Sequence, residues 1–165
     1  MKFGRILKHL MVPHRFALRP FPPAVLKKVE SAIMESEQKH DGELRFVIEG
    51  GLHPAALWHG QSPRGRAIEL FSQLRVWDTE HNSGVLIYVQ LVDRTIEIVA
   101  DRGINGKVDQ ASWDGICRRM EAAFGQRRFE QGSLAAIDEV TALLARHFPP
   151  AGINPNELPD KPVVL

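Results

Sequence analysis

The chain has one cysteine, Cys117, so no internal disulfide can staple it. That fits a reducing compartment. It has almost no net charge: 21 Lys and Arg against 20 Asp and Glu leave +1. The electrostatic case for bulk nucleic-acid binding is therefore absent. It also lacks a long apolar run. Val85 to Val92 is the longest near-continuous one, well short of the about 20 residues that span a bilayer. Near the start, Lys8, His9, Pro13, His14 and Arg15 interrupt the apolar stretch, so no signal-peptide core forms there. No transmembrane segment and a cytoplasmic location are the expectations. There is no internal repeat and no low-complexity tract. The dinucleotide fingerprint, the P-loop, the nucleophile elbow, the zinc-protease helix and the paired-cysteine motif are all missing.

What is present suffices for one folded domain. A chain of 165 residues, 44% of them hydrophobic, can bury a full core. The organising stretch is Val76 to Gly103. A polar loop (Trp77, Asp78, Thr79, Glu80, His81, Asn82) leads into the apolar block Val85 to Val92. That block lacks polar alternation except at Gln90, as expected of a strand covered on both faces. Asp93 and Arg94 make a tight turn, and Thr95 to Ala100 alternates as a second strand nearer an edge. So short a connection forces an antiparallel hairpin.

Around this unit the periodicity predicts four helices and one further strand. The first helix spans about 22–39, with Val25, Val29, Ala32 and Ile33 inward. Leu44 to Ile48 is a strand, closed by Gly50 and Gly51. A loop over 50–62 carries His53, Trp58 and His59. Two histidines there lack further ligands at metal spacing, and Trp58 is expected to pin the loop to the core. Ser62 and Pro63 start a helix that runs to Leu74 and buries Ala67, Ile68, Phe71 and Leu74. A third helix over 110–124 places Cys117 on its apolar stripe as a small core residue. A fourth runs over 133–147.

Residues 1–21 form a basic N-terminal arm. Ile6, Leu7, Leu10 and Met11 lie at helical spacing, with Lys2, Arg5 and Lys8 on the other side. Such a segment either packs on the domain, the favoured reading, or touches anionic lipid or a partner. Residues 149–165 form an extended tail set by Pro149, Pro150, Pro155, Pro159 and Pro162. The domain proper spans 22–148.

The first two strands are joined through a helix, which favours a parallel, right-handed crossover. The N-terminal ends of strands one and two then share an end of the sheet with the C-terminal end of strand three. That end gathers His40, Asp41, Glu43, Asp78, Glu80, Asn82, Asp101 and Arg102. Asp78, Glu80 and Asp101 would repel one another unless a hard cation such as Ca²⁺ or Mg²⁺ took carboxylate, Asn82 and backbone oxygens. Arg102, or Arg94 beside Asp93 at the opposite end, could receive a phosphate or carboxylate. Solvated rim charges worth little are the plain alternative.

The central unit resembles the TPM domain family, also called TPM phosphatase. The resemblance rests on Ala67 to Phe71, then Asn82-Ser83-Gly84 opening the apolar strand, then Asp93-Arg94, then Ile98 to Gly103. Phe129 to Gly132 before the last helix matches as well. The likeness spans roughly residues 22–147. Ser83 stands where the family's turn has a second Asn. The runs Trp77 to Glu80, Val99 to Gly103 and Asn156 to Asp160 resemble a short cytoplasmic bacterial branch.

The resemblance implies a three-layer α/β/α sandwich with a small mixed sheet, one parallel crossover plus a hairpin, flanked by about four helices. In plant thylakoid relatives it implies acid phosphatase activity and photosystem repair. In others it implies Ca²⁺ near acidic strand-end loops, which here hold Asp78, Glu80 and Asp101. Two functions follow as expectations. One is a module binding a divalent cation or a protein partner, including a membrane-associated one, through the acidic strand end. The other is a metal-assisted phosphomonoesterase, with Arg102 on the phosphate.

Overall fold

A computed structural model describes residues 2–152 and 156–165, without the side chains of Lys2 and His14. Three strands form where alternation predicts them: β1 (Glu43–Glu49), β2 (Gly84–Gln90) and β3 (Thr95–Ala100). β1 and β2 are parallel, with Glu43 opposite Gly84 and Glu49 opposite Gln90. β2 and β3 are antiparallel, with Val85 opposite Ala100. The mixed sheet and its hairpin are as expected. β2 stops at Gln90 rather than Val92, because the turn takes four residues and sets Arg94 at φ 59°.

The tail adds what the sequence did not suggest. Val163 and Val164 form β4, parallel to β1, so the order is β3-β2-β1-β4. Part of the extended tail thus becomes an edge strand of the sheet. Pro155 lies outside the described residues.

Eight helices form among the described residues. The four expected ones are α3 (Pro23–Glu37), α5 (Pro63–Gln73), α7 (Gln110–Gly125) and α8 (Phe129–His147). The others are α1 (Lys2–Met11), α2 (His14–Ala17), α4 (Pro54–Trp58) and α6 (Arg102–Asn105). Ser62 caps α5 by accepting the Gly65 N–H, as the Ser-Pro pair predicts. α8 starts a turn before Ser133, at Phe129, where Phe129 packs with Phe21 and Phe124.

The alternation of β2 divides the core into two. Val85, Ile87 and Val89 join Leu44, Phe46 and Ile48 beneath α3, α7 and α8. Leu86 and Tyr88 join Val47 and Val99 beneath Ala67, Leu70 and Phe71 of α5. The result is the three-layer α/β/α sandwich. Two inward assignments need correction. Ile68 is exposed and Leu70 takes its place: the stripe against the sheet is Ala67, Leu70 and Phe71, with Leu74 at its edge, and Ile68 lies outside it. Trp58 is 67% exposed and anchors nothing; Leu57, at 2%, pins α4 instead.

Candidate functional site at the acidic strand end

The parallel pairing of β1 and β2 brings the predicted loops to one end of the sheet. Between them runs Asn82-Ser83-Gly84. Asn82 takes φ 51°, a left-handed turn that asparagine tolerates. Its carbonyl accepts the Gly103 N–H at 2.9 Å, and its side-chain oxygen accepts Arg102 Nε at 3.1 Å. A Cβ on Gly103 would stand 2.5 Å from the carbonyl oxygens of both His81 and Asn82. The 101–103 segment is thus pressed onto the 81–82 turn, and Asn82, Asp101 and Arg102 come together.

Asp101 caps the short helix α6, its Oδ1 accepting the Arg102 N–H at 2.7 Å. Its Oδ2 is buried with no hydrogen-bond partner. On the other side of the turn, Ser83 Oγ donates to the Asp41 carbonyl at 3.3 Å. Asp41 Oδ2 accepts the Ala151 N–H at 2.8 Å, while Asp41 Oδ1 is also buried and unpartnered. A carboxylate oxygen desolvated without a donor is costly. Two of them flank one turn. Sequence reasoning placed Asp41 at this end but did not count it among the cation ligands.

Asp78 and Glu80 lie on the exposed turn before Asn82. The tail holds that turn, with the Glu157 carboxylate accepting the Glu80 N–H at 3.2 Å. Thr79 and Ser83 are buried, and Thr79 Oγ1 accepts the Ser83 N–H at 3.0 Å. Their hydroxyls therefore build the turn. Among the described residues, no group of three or more His, Cys, Asp or Glu side chains is set up to hold a metal ion. His53 instead caps α4, its Nδ1 accepting the Ala55 N–H.

Asp93 sits at the far end of the sheet and is already engaged. Arg5 Nη2 donates to it at 2.7 Å and His9 Nε2 at 3.0 Å. Burial alone would raise its pKa, but those bonds outweigh it and hold the carboxyl below its usual range. Arg94 beside it is exposed.

A second polar cluster lies where the tail crosses the start of β1. Glu43, 1% exposed, accepts the N–H groups of Glu157 and Leu158, both at 3.1 Å. Burial pushes its pKa up to about 7. Glu37 at the end of α3 rises to about 9, through burial and then the charges of Glu43 and Asp160. Both acids bind protons more tightly folded than unfolded. The stability this contributes is full below about pH 4.5 and is lost as pH climbs through 7 and then 9. Thermal melts should show the midpoint falling from pH 5 to 9. Glu37→Gln, which keeps an acceptor for the Leu44 N–H, should flatten the alkaline part of that decline.

The remaining titratable core groups are structural. Burial lowers His40 to about 4, and its Nε2 meets Ser36 Oγ at 2.8 Å. Burial likewise pushes the Cys117 thiol up to about 12, as suits a core thiol rather than a nucleophile.

Fold and site together define a three-layer α/β/α domain with a mixed sheet and an acidic strand-end turn. The family model described as TPM domain matches residues 21–143, and the chain belongs to that family. It is similar to the BA42 protein of the psychrophilic bacterium Bizionia argentinensis, at 29% identity and a TM-score of 0.76. That match covers 87% of this chain and 94% of the other. The N-terminal domain of a protein from P.gingivalis shares the fold at 17% identity and a TM-score of 0.62. It covers 81% of this chain and 84% of that one. No curated protein matches. No helix among the described residues is long and apolar enough to cross a membrane.

Proposed function

We propose that this chain is a binding module whose acidic strand end takes a hard divalent cation, Ca²⁺ or Mg²⁺. The observation that carries the reading is the pair of buried, unpartnered carboxylate oxygens, Asp41 Oδ1 and Asp101 Oδ2. They flank the segment Asn82-Ser83-Gly84, whose Ser83 hydroxyl bonds the Asp41 carbonyl on one side and whose Gly84 carbonyl accepts the Asp101 N–H on the other. An all-oxygen set suits a hard cation rather than zinc. Asp78 and Glu80 add negative charge on the exposed part of the same turn. Arg102 lies at its margin, held by Asn82.

The phosphomonoesterase reading has less support. The Ser83 and Thr79 hydroxyls are tied into the turn, so neither is poised as a nucleophile.

Chelator-stripped protein titrated with Ca²⁺ or Mg²⁺ should show saturable amide NMR shifts confined to residues 41–42, 78–84 and 101–103. Asp41→Asn with Asp101→Asn should abolish them. Shifts absent up to millimolar metal, or unchanged in the double variant, would defeat the reading. A metal-dependent turnover of a generic phosphate ester, lost in Asp101→Ala, would favour the enzyme instead.

A further inference from the structure

α1 is mounted with its polar side inward. Arg5 and His9 lie one turn apart and both reach Asp93, while Arg5 Nη1 also donates to the Gln61 carbonyl at 2.6 Å. The Leu52 N–H donates to His9 Nδ1 at 2.9 Å, so that nitrogen accepts and His9 Nε2 carries the proton given to Asp93. His9 is 6% exposed. An ordinary surface helix does the reverse and buries its apolar stripe.

The consequence is an outward apolar face. Phe3, Leu7, Leu10 and Met11 follow helical spacing opposite Arg5 and His9, and they are 57–78% exposed. Phe16 on α2 is exposed as well, with the Arg19 guanidinium 4.2 Å over its ring. Trp58 is exposed on α4, the helix against which α1 packs. Scattered single apolar residues need no explanation, but a full helix face does.

Charge identifies the occupant. Lys2, Arg5, Lys8, Arg15, Arg19, Lys27 and Lys28 precede the first acid, Glu30. Lys8, Arg15 and Arg19 are exposed. A second copy of the chain would bring these cations against one another. We infer that the outward face of α1 docks on an anionic lipid surface, with Leu7 and its neighbours in the acyl boundary and Lys8, Arg15 and Arg19 at the headgroups. Asp93 acts as the bracket that holds the helix in this orientation. The inference is independent of the cation site.

Co-sedimentation with phosphatidylcholine vesicles, with and without about a third phosphatidylglycerol, tests this. The full chain should pellet with the anionic vesicles and weakly with neutral ones. Leu7→Glu and, separately, Phe3→Ser should each cut the bound fraction about tenfold or more. Lys8→Glu with Arg15→Glu should weaken binding several-fold on anionic vesicles only, and added salt should do the same. Met34→Glu, at an exposed site on α3, is the control and should bind as the parent does. All these positions are exposed, so circular dichroism should show every variant folded. No pelleting with anionic vesicles, or pelleting unchanged by Leu7→Glu, overturns the inference. A dimer in sedimentation velocity that Leu7→Glu dissolves, without vesicle binding, would assign the face to a second copy and overturn it as well.

Discussion

Gly84→Ala should fail to fold, or should lose more than the about 1–3 kcal/mol of an ordinary overpacked core position. Gly84 opens β2, directly opposite Glu43 of β1. A Cβ there would fall well inside contact distance of the Val76 carbonyl oxygen. The obstacle is backbone, and it cannot swing aside like a side chain. Val76 is itself fully buried, and its N–H bonds to the Phe71 carbonyl at 3.0 Å, so moving it would disturb the end of α5. Either strand or turn must shift, and the Asn82 loop shifts with it. Urea unfolding of Gly84→Ala beside Gly125→Ala makes the comparison clean. Gly125 ends α7 with open space around it, so alanine there should gain up to about 1 kcal/mol through helix propensity. A Gly84→Ala chain as stable as the parent would show that the turn yields freely.

Arg66→Met should cost about 3–5 kcal/mol, the typical loss when one partner of a buried ion pair is removed. Glu49 ends β1 and is 5% exposed. Arg66 grips it with two nitrogens, Nε at 3.1 Å and Nη2 at 2.8 Å, and the buried Tyr88 hydroxyl donates to it at 2.6 Å. That grip raises the Arg66 pKa, while burial and then the Glu49 bond raise that of Tyr88. Without Arg66 the carboxylate keeps one neutral donor in a desolvated place. Glu49→Gln should cost less, about 1–3 kcal/mol. Arg66 would retain Glu69 at 3.1 Å and some solvent. Removing both charges, as Arg66→Met with Glu49→Met, should be milder than Arg66→Met alone. A double variant as unstable as Arg66→Met and Glu49→Met added together would mean the two side chains act independently.

The legible parts of this fold are those in which local pattern and burial agree. The Val85 to Val92 block reads as a strand covered on both faces, and β2 is that strand. Ser62-Pro63 reads as a helix start, and it is one. The crossover and hairpin together are enough to place Asn82, Asp101 and Arg102 at one end of the sheet. What escaped depends on distant partners. β4 is two residues long, too short for any alternation to register. The amphipathicity of α1 is plain in the sequence, but its inward face depends on Asp93, which lies 88 residues from Arg5. The buried state of Asp41 depends on the tail donor at Ala151, and spacing alone offers no signal for that.

β4 is the last piece of the sheet to leave the ribosome, yet it lies against β1, the first strand made. Until Val163 and Val164 are in place, the outer edge of β1 at Val47 and Ile48 is an unpaired template open to another strand. The other margin of the sheet is guarded throughout: Glu121 accepts the Ile96 N–H at 3.0 Å, and Arg64 donates to the Ile98 carbonyl. A chain clipped by a protease before residue 163 would therefore be asymmetric in its hazards. It would recruit strands from other copies along β1 alone, and strand exchange or slow aggregation would mark the damaged molecules for cellular quality control.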